Sequence, residues 1–178
     1  FGNDEFFVIA FEKEDIFTPD NLQMIKKITR KLESSDLVRD VLSLANVDNI
    51  VGEEDYFYVS PFLRNIPTSP AGLAELKQEA LDNPLYVKNL ISPDGKSAAI
   101  VVFAFDRPQD PDYRQKLLST TRSCLTPYTD TEFHLAGWTV TNYSLSQYMQ
   151  KDLATFIPIT YLLIAVVVFV FFRNIRLT

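Results

Sequence analysis

Residues Leu153 to Phe172 form an unbroken run of 20 without a charged side chain, at the C-terminal end of an otherwise polar chain of 178 residues. At a rise of ~1.5 Å per residue, a helix of that length reaches about 30 Å, the thickness of a bilayer's hydrocarbon core. The stretch Phe156–Phe172 is apolar on every side, whereas the amphipathic helix of a soluble protein keeps a polar face. Its valines and aromatics also suit a buried core helix or a strand-like run. The sharp stop at Arg173 and Arg176, however, is how membrane helices end. The pattern predicts a transmembrane helix and hence a chain anchored in a bilayer.

An excess of Lys and Arg beside a span marks its cytoplasmic end. Arg173 and Arg176 follow the run, while Lys151 and Asp152 cancel on its other side. The bulk of the chain is therefore expected outside the cytoplasm. Without those two arginines, residues 1–172 carry 15 basic against 23 acidic side chains, a formal charge of −8. Such a balance excludes nucleic acid as a partner, because phosphate binding needs a basic patch. Cys124 stands alone, with no internal disulfide partner and no zinc-ligand spacing around it. The chain opens Phe1-Gly2-Asn3-Asp4 with no Met and no signal-peptide core. It reads as an excised piece of something larger, one extracytoplasmic domain followed by a membrane helix.

The residues before the span suffice for one domain. Phe6–Phe11 is a continuous apolar run of strand length. Thr18-Pro19 then opens a helix, with Thr as N-cap and Pro at the first helical position. Leu22, Ile25, Ile28 and Leu32 share one face of it. Lys26, Lys27, Arg30 and Lys31 share the other, read as a solvated face that is also able to meet anionic lipid. A second strand is expected near Val38–Asn46. The unit recurs as a strand at Ala98–Phe105, a helix at Pro111–Leu125 with Tyr113, Leu117, Thr121 and Cys124 inward, and a strand at Phe133–Trp138. Between the units lies an insertion, about residues 50–97. It holds a helix at Ser69–Asp82, opened by a Ser-Pro cap, with Leu73, Leu76, Ala80 and Leu81 on one face. The turn signal Pro93-Asp94-Gly95-Lys96 predicts a hairpin between Val87–Ile91 and Ala98–Phe105.

Two β-α-β units predict an α+β, ferredoxin-like split fold whose central strands are the two apolar runs. Strands apolar on both faces need cover on both faces. Two helices cover one side, so the other side is expected to meet a further domain. The domain is read as residues 1–143, and residues 144–178 as a helix, capped by Ser144, that enters and spans the membrane. Pro158 falls near the start of the span, where a kink is tolerated.

The strand His134-Leu135-Ala136-Gly137, the helical Gln150-Lys151-Asp152-Leu153, Pro158, the long apolar run and Phe172-Arg173-Asn174 together resemble the approach to the second transmembrane helix of RND-superfamily exporters. The resemblance is to their MMPL-like branch, which exports hydrophobic and amphiphilic compounds. Phe1-Gly2-Asn3 before an apolar strand, Val41–Asn46, and Ile91-Ser92-Pro93-Asp94-Gly95-Lys96 resemble other landmarks of that family's first periplasmic loop. Asn174 stands where Ser is more usual, and Ala45 where Thr often sits. Gly137, Asp152, Pro158, Phe172 and Arg173 are the positions that carry the motif.

The resemblance implies a periplasmic porter domain of a proton-driven, multi-pass inner-membrane protein that exports lipids or other hydrophobic molecules. Its partners would be the bilayer, a second porter domain and the remaining membrane helices of the same protein, the substrate, and further copies of the chain if it forms homo-oligomers. The carboxylates that couple proton flow in that family lie on helices outside this sequence.

No catalytic constellation is present in the sequence. His134 is the only histidine, on a predicted strand beside Leu135 and Ala136, and no Ser-His-Asp site is read around it. The chain is read as a non-enzyme without cofactor or metal. The acidic residues Asp15, Asp20, Glu53, Glu54, Asp55, Asp110 and Asp112 lie at loops and helix starts without EF-hand spacing. The aromatic cluster Tyr56-Phe57-Tyr58, with Phe62 close by, is the candidate substrate path, because apolar surface with a few polar tips suits an amphiphile. An ordinary strand packed under the insertion helix is the plainer reading of the same residues. Asp152, at interfacial depth, suits a pairing role at a helix junction. Two other classes share the anchored architecture: a sensor ectodomain leading to a cytoplasmic signalling module, and a secretion accessory of the SecD/SecF type.

Overall fold

The two apolar strands lie side by side at the centre of one sheet. The computed structural model describes residues 5–53, 56–107 and 109–175, with only the backbone of 50–53, 56–58 and 173–175. β1 (Phe6–Glu12) and β5 (Ser97–Ala104) pair antiparallel, from Phe6 opposite Phe103 to Glu12 opposite Ser97. β2 (Val38–Leu42) joins the far edge of β5 with an irregularity between Val38 and Asp40, and β6 (Phe133–Ala136) joins β1. The order is β2-β5-β1-β6 with every neighbour antiparallel. With α1 (Pro19–Glu33) linking β1 to β2 and α3 (Tyr113–Leu125) linking β5 to β6, two β-α-β units interleave. This is the α+β, ferredoxin-like split arrangement that the sequence predicts, followed by the long apolar helix α4 (Trp138–Ile175).

Local chemistry explains both crossover helices. At α1, Thr18 is extended and its Oγ1 accepts the Asn21 N–H at 3.3 Å, with Pro19 next to it, Asp20 in the first turn, and Arg30 and Lys31 in the last. These charges suit the positive N-terminal and negative C-terminal ends of the helix dipole. Leu22, Ile25, Ile28 and Leu32 are all buried, and α1 packs against β2 and α3. Lys27, Arg30 and Lys31 are exposed, but Lys26 is half-buried and its Nζ donates to the carbonyls of Leu63 and Arg64 at 2.9 and 3.0 Å. That cation of the polar face is a staple to the insertion. In α3, Tyr113 is buried, and its Oη accepts the Phe105 N–H at 2.8 Å and donates to the Leu37 carbonyl at 2.6 Å. One side chain thus ties together the end of β5, the approach to β2 and the start of α3.

The insertion departs from expectation in one place. α2 (Pro70–Asp82) forms as predicted, with Ser69 Oγ accepting the Gly72 N–H at 3.2 Å and Leu76 and Ala80 buried. β3 (Asp48–Glu53) and β4 (Tyr56–Pro61) make a separate two-stranded hairpin. Residues 87–91, expected as a hairpin arm, instead coil tightly. The Tyr86 carbonyl accepts N–H bonds from Leu90 and Ile91 at 2.8 and 3.0 Å, and Lys88 takes φ 72°. Asn83 Oδ1 accepts the Leu85 N–H, and Asn89 Nδ2 donates to the Leu85 carbonyl. Such side-chain bonds give the backbone an alternative to a ladder, and a single bridge, Ile91 to Ala98, remains of the hairpin. The turn itself is present: Gly95 has φ 71° and its N–H reaches the Ser92 carbonyl at 2.9 Å.

Several boundaries also move: β6 ends at Ala136 rather than Trp138, and α3 starts at Tyr113 rather than Pro111. β2 stops at Leu42 because Asn46 folds back, accepting the Ser43 N–H at 2.8 Å and donating to the Val41 carbonyl at 2.5 Å. The last helix begins at Trp138, ahead of the expected cap Ser144, so Thr139–Tyr143 are helical. The residue that permits this is Gly137, at φ 127°, where a Cβ would stand 2.9 Å from Phe7 Cα. Only glycine allows β6 to run that close to β1 and turn at once into a helix. The chain divides into two compact units, Phe1–Val140 and Thr141–Thr178.

Candidate functional site

Alternation along β1 and β5 gives the sheet two unlike faces. Phe7, Ile9, Phe11, Ala98, Ile100, Val102 and Ala104 are buried, on the face that α1 and α3 cover. The intervening Val8, Ala10, Ala99, Val101 and Phe103 are only half-buried, and Phe6 is 41% exposed. Register carries this second face outward, since Ala136 lies opposite Val8, His134 opposite Ala10, and Leu42 opposite Val101. Residues directly opposite in an antiparallel pair share a face. The result is a continuous apolar strip with charge at its margins.

At one end of the strip the Phe6 and Phe103 rings lie 6.3 Å apart, and the Arg39 guanidinium sits 5.6 Å from the Phe103 ring centre. At the other end the small side chains of Ala10 and Ala99 leave a depression. The 88–93 coil walls it, and the Ala99 N–H bonds to the Leu90 carbonyl at 2.9 Å. This groove encloses about 320 Å³.

The sequence candidates fall in different places. Tyr56, Phe57 and Tyr58 lie on β4, and their side chains are outside the described residues. Phe62 is buried and meets the Tyr86 ring edge-on at 5.2 Å, while Tyr86 Oη donates to the Asp48 carbonyl at 2.9 Å. Burial is also the chief cause that raises the Tyr86 phenol above its ordinary pKa, with Glu79 and Asp48 adding to it. Phe62 thus belongs to the packing of the insertion. Gly137 is the close-approach residue already described. Asp152 and Phe172 are exposed on α4. Pro158 lies inside α4 without ending it, and Arg173 continues its backbone. His134 is exposed with Glu132 3.9 Å away, and Cys124 is buried in α3.

Sequence reasoning did not anticipate the ion pair between Glu5 and Arg114. Glu5 is buried, and Arg114 grips its carboxylate twice: Nε donates to Oε2 at 3.2 Å and the terminal nitrogen to Oε1. Its partners are 109 positions apart, and no local pattern links them.

A split β-α-β domain carrying a half-open apolar sheet, followed by one helix long and apolar enough to cross a bilayer, fits the class of membrane proteins. The sequence pattern of the MMPL family matches residues 10–178, and the chain belongs to that family, whose members are membrane transporters of the RND type. No curated protein matches the chain.

Proposed function

We propose that this chain is the periplasmic porter domain, with the following membrane helix, of a proton-driven inner-membrane exporter of lipids or other amphiphiles. In this reading residues 1–150 lie outside the cytoplasm, Arg173 marks the cytoplasmic side, and a second porter domain of the same protein faces the open side of the sheet. Relative motion of the two domains passes substrate outward along the strip of Phe6, Val8, Val101 and Phe103 and past the aromatic β4 residues Tyr56, Phe57 and Tyr58, with Phe62 supporting them from the insertion core. The observation that carries the reading is the half-open second face of two strands that are apolar almost throughout. Apolar surface with a few polar groups at its margin suits an amphiphile, and domain junctions are where ligand sites concentrate.

The test is export of a fluorescent lipid from vesicles reconstituted with the full protein under a proton gradient. Val101→Asp places a charge in the strip, and the expected result is at least a tenfold loss of export with normal expression and circular dichroism. Phe57→Asp tests the β4 side of the passage in the same assay. Undiminished export by both folded variants removes these surfaces from the pathway.

A further inference from the structure

Positive charge gathers in one groove of a chain that is acidic as a whole, with a formal charge of −6. The groove runs between α1 and the segment that follows β4, and it encloses about 270 Å³. Lys26, Thr29, Arg30 and Glu33 form its α1 wall, at the three- and four-residue spacings that share one side of a helix. Arg64 lines it from the insertion. Three cations, Lys26, Arg30 and Arg64, stand there against one carboxylate, Glu33, a local charge of +2.

The hydrogen bonds show that this charge is not cancelled from within. Glu33 Oε1 accepts from Asn46 Nδ2 at 2.7 Å, and no ion pair reaches Glu33 among the described residues. Lys26 Nζ gives two of its three protons to the carbonyls of Leu63 and Arg64, which fix the ammonium in place without neutralising it. The Arg30 side chain has no hydrogen-bonding or ionic partner among the described residues. A held ammonium beside guanidinium forks suits phosphate, whose oxygens match the fork while Lys supplies a point charge. A phosphate monoester carries a charge of about −2 near neutral pH, which balances the groove. Ala45, Pro61 and Leu63 add apolar wall for the carbon skeleton that the phosphate esterifies.

We propose that this groove binds a phosphate monoester, either a small soluble one or the headgroup of a lipid of the phosphatidic acid type. The groove lies on α1 and not on the open face of the sheet, so the proposal is independent of the exporter reading.

The test is isothermal titration calorimetry of glycerol 3-phosphate into the full protein, in nonionic detergent at low salt. The expected result is saturable binding that Arg30→Gln and Arg64→Gln each weaken about fivefold or more. Lys31→Gln removes the same charge from α1 outside the groove and should change binding by less than about twofold. Glu33→Gln keeps an acceptor for Asn46 while removing the opposing charge, and it should tighten binding about twofold or more. A groove that serves only to join α1 to the insertion would not respond in that direction. Micellar dihexanoyl phosphatidic acid separates the two sources. Displacement of glycerol 3-phosphate by the lipid at well below the ester's own concentration assigns the site to a headgroup, and weaker displacement assigns it to a soluble ester. Absence of saturable binding, an equal loss from Lys31→Gln, or no tightening by Glu33→Gln overturns the proposal. None of these measurements needs transport, so their failure leaves the exporter reading standing, and failed lipid export leaves this groove standing.

Discussion

The covered and open faces of the central sheet are made by the same two strands, one residue out of phase, yet they do different work. Phe7, Ile9, Ile100 and Val102 are fully closed to solvent, while Phe6, Val8, Val101 and Phe103 are as apolar and remain part-exposed. Burying a large apolar side chain contributes about 1.5–3 kcal/mol. The first group supplies that to folding of the domain. The second group, left part-exposed, supplies only a share of it. Hydrophobicity alone does not distinguish the faces; the position of α1 and α3 does.

The comparison breaks first at Phe7. Phe7→Ala should cost the domain about 3–5 kcal/mol, as large core deletions do, whereas Phe6→Ala, one residue away, should cost less than about 1 kcal/mol. Denaturant unfolding of the full protein in detergent measures both, and equal losses would show that the two faces are alike. Gly137→Ala comes next, since a Cβ there meets Phe7 Cα at 2.9 Å on a backbone at φ 127°. A loss of about 1–3 kcal/mol is expected, read in the same unfolding experiment. A loss near zero would mean that β6 is free to move away from β1. Thr18→Ala follows, with about 1 kcal/mol from the lost cap, and this sharpens how much of the covered face depends on α1 being held in place.

The smallest effect is one of pH. Asp94 is held below the usual carboxylate range first by the Ser92 hydroxyl and then by the Lys96 N–H, and Asp130 chiefly by the hydrogen bond from Lys13. Each group is more acidic folded than unfolded, so its contribution is complete above the unfolded value of about 3.9 and fades as pH falls toward the lower folded value. Both are fully exposed, and the change should be slight. Melting temperatures across acid pH should show Asp94→Asn less pH-sensitive than the parent protein, and an identical slope would remove Asp94 from the account.

Much of this fold is legible in the sequence where period and punctuation agree. α1 has its apolar face, its Thr-Pro start and its charges in order, and the structure follows them. Phe6–Phe11 and Ala98–Phe105 are apolar throughout, which places them at the centre. Local reasoning fails where a distant or competing bond decides. The 87–91 coil follows from Asn83, Asn89 and the captured Tyr86 carbonyl, which outcompete a ladder. The early start of α4 follows from how near Gly137 runs to β1, a distance no local window contains. Glu5 and Arg114 meet across most of the domain. The candidate site is legible in kind, an apolar sheet lacking cover, but Phe62 sits in the packing of the insertion because Tyr86, from beyond α2, closes over it.

The approach of Gly137 to Phe7 has one more consequence. Thr139 Oγ1 donates to the Phe6 carbonyl at 3.3 Å, so the strand that begins the domain and the helix that leaves it are fastened at one spot. A domain whose first strand and last helix meet at one spot has its ends together, and a fold of that kind can be set into another chain through a gap only two backbones wide.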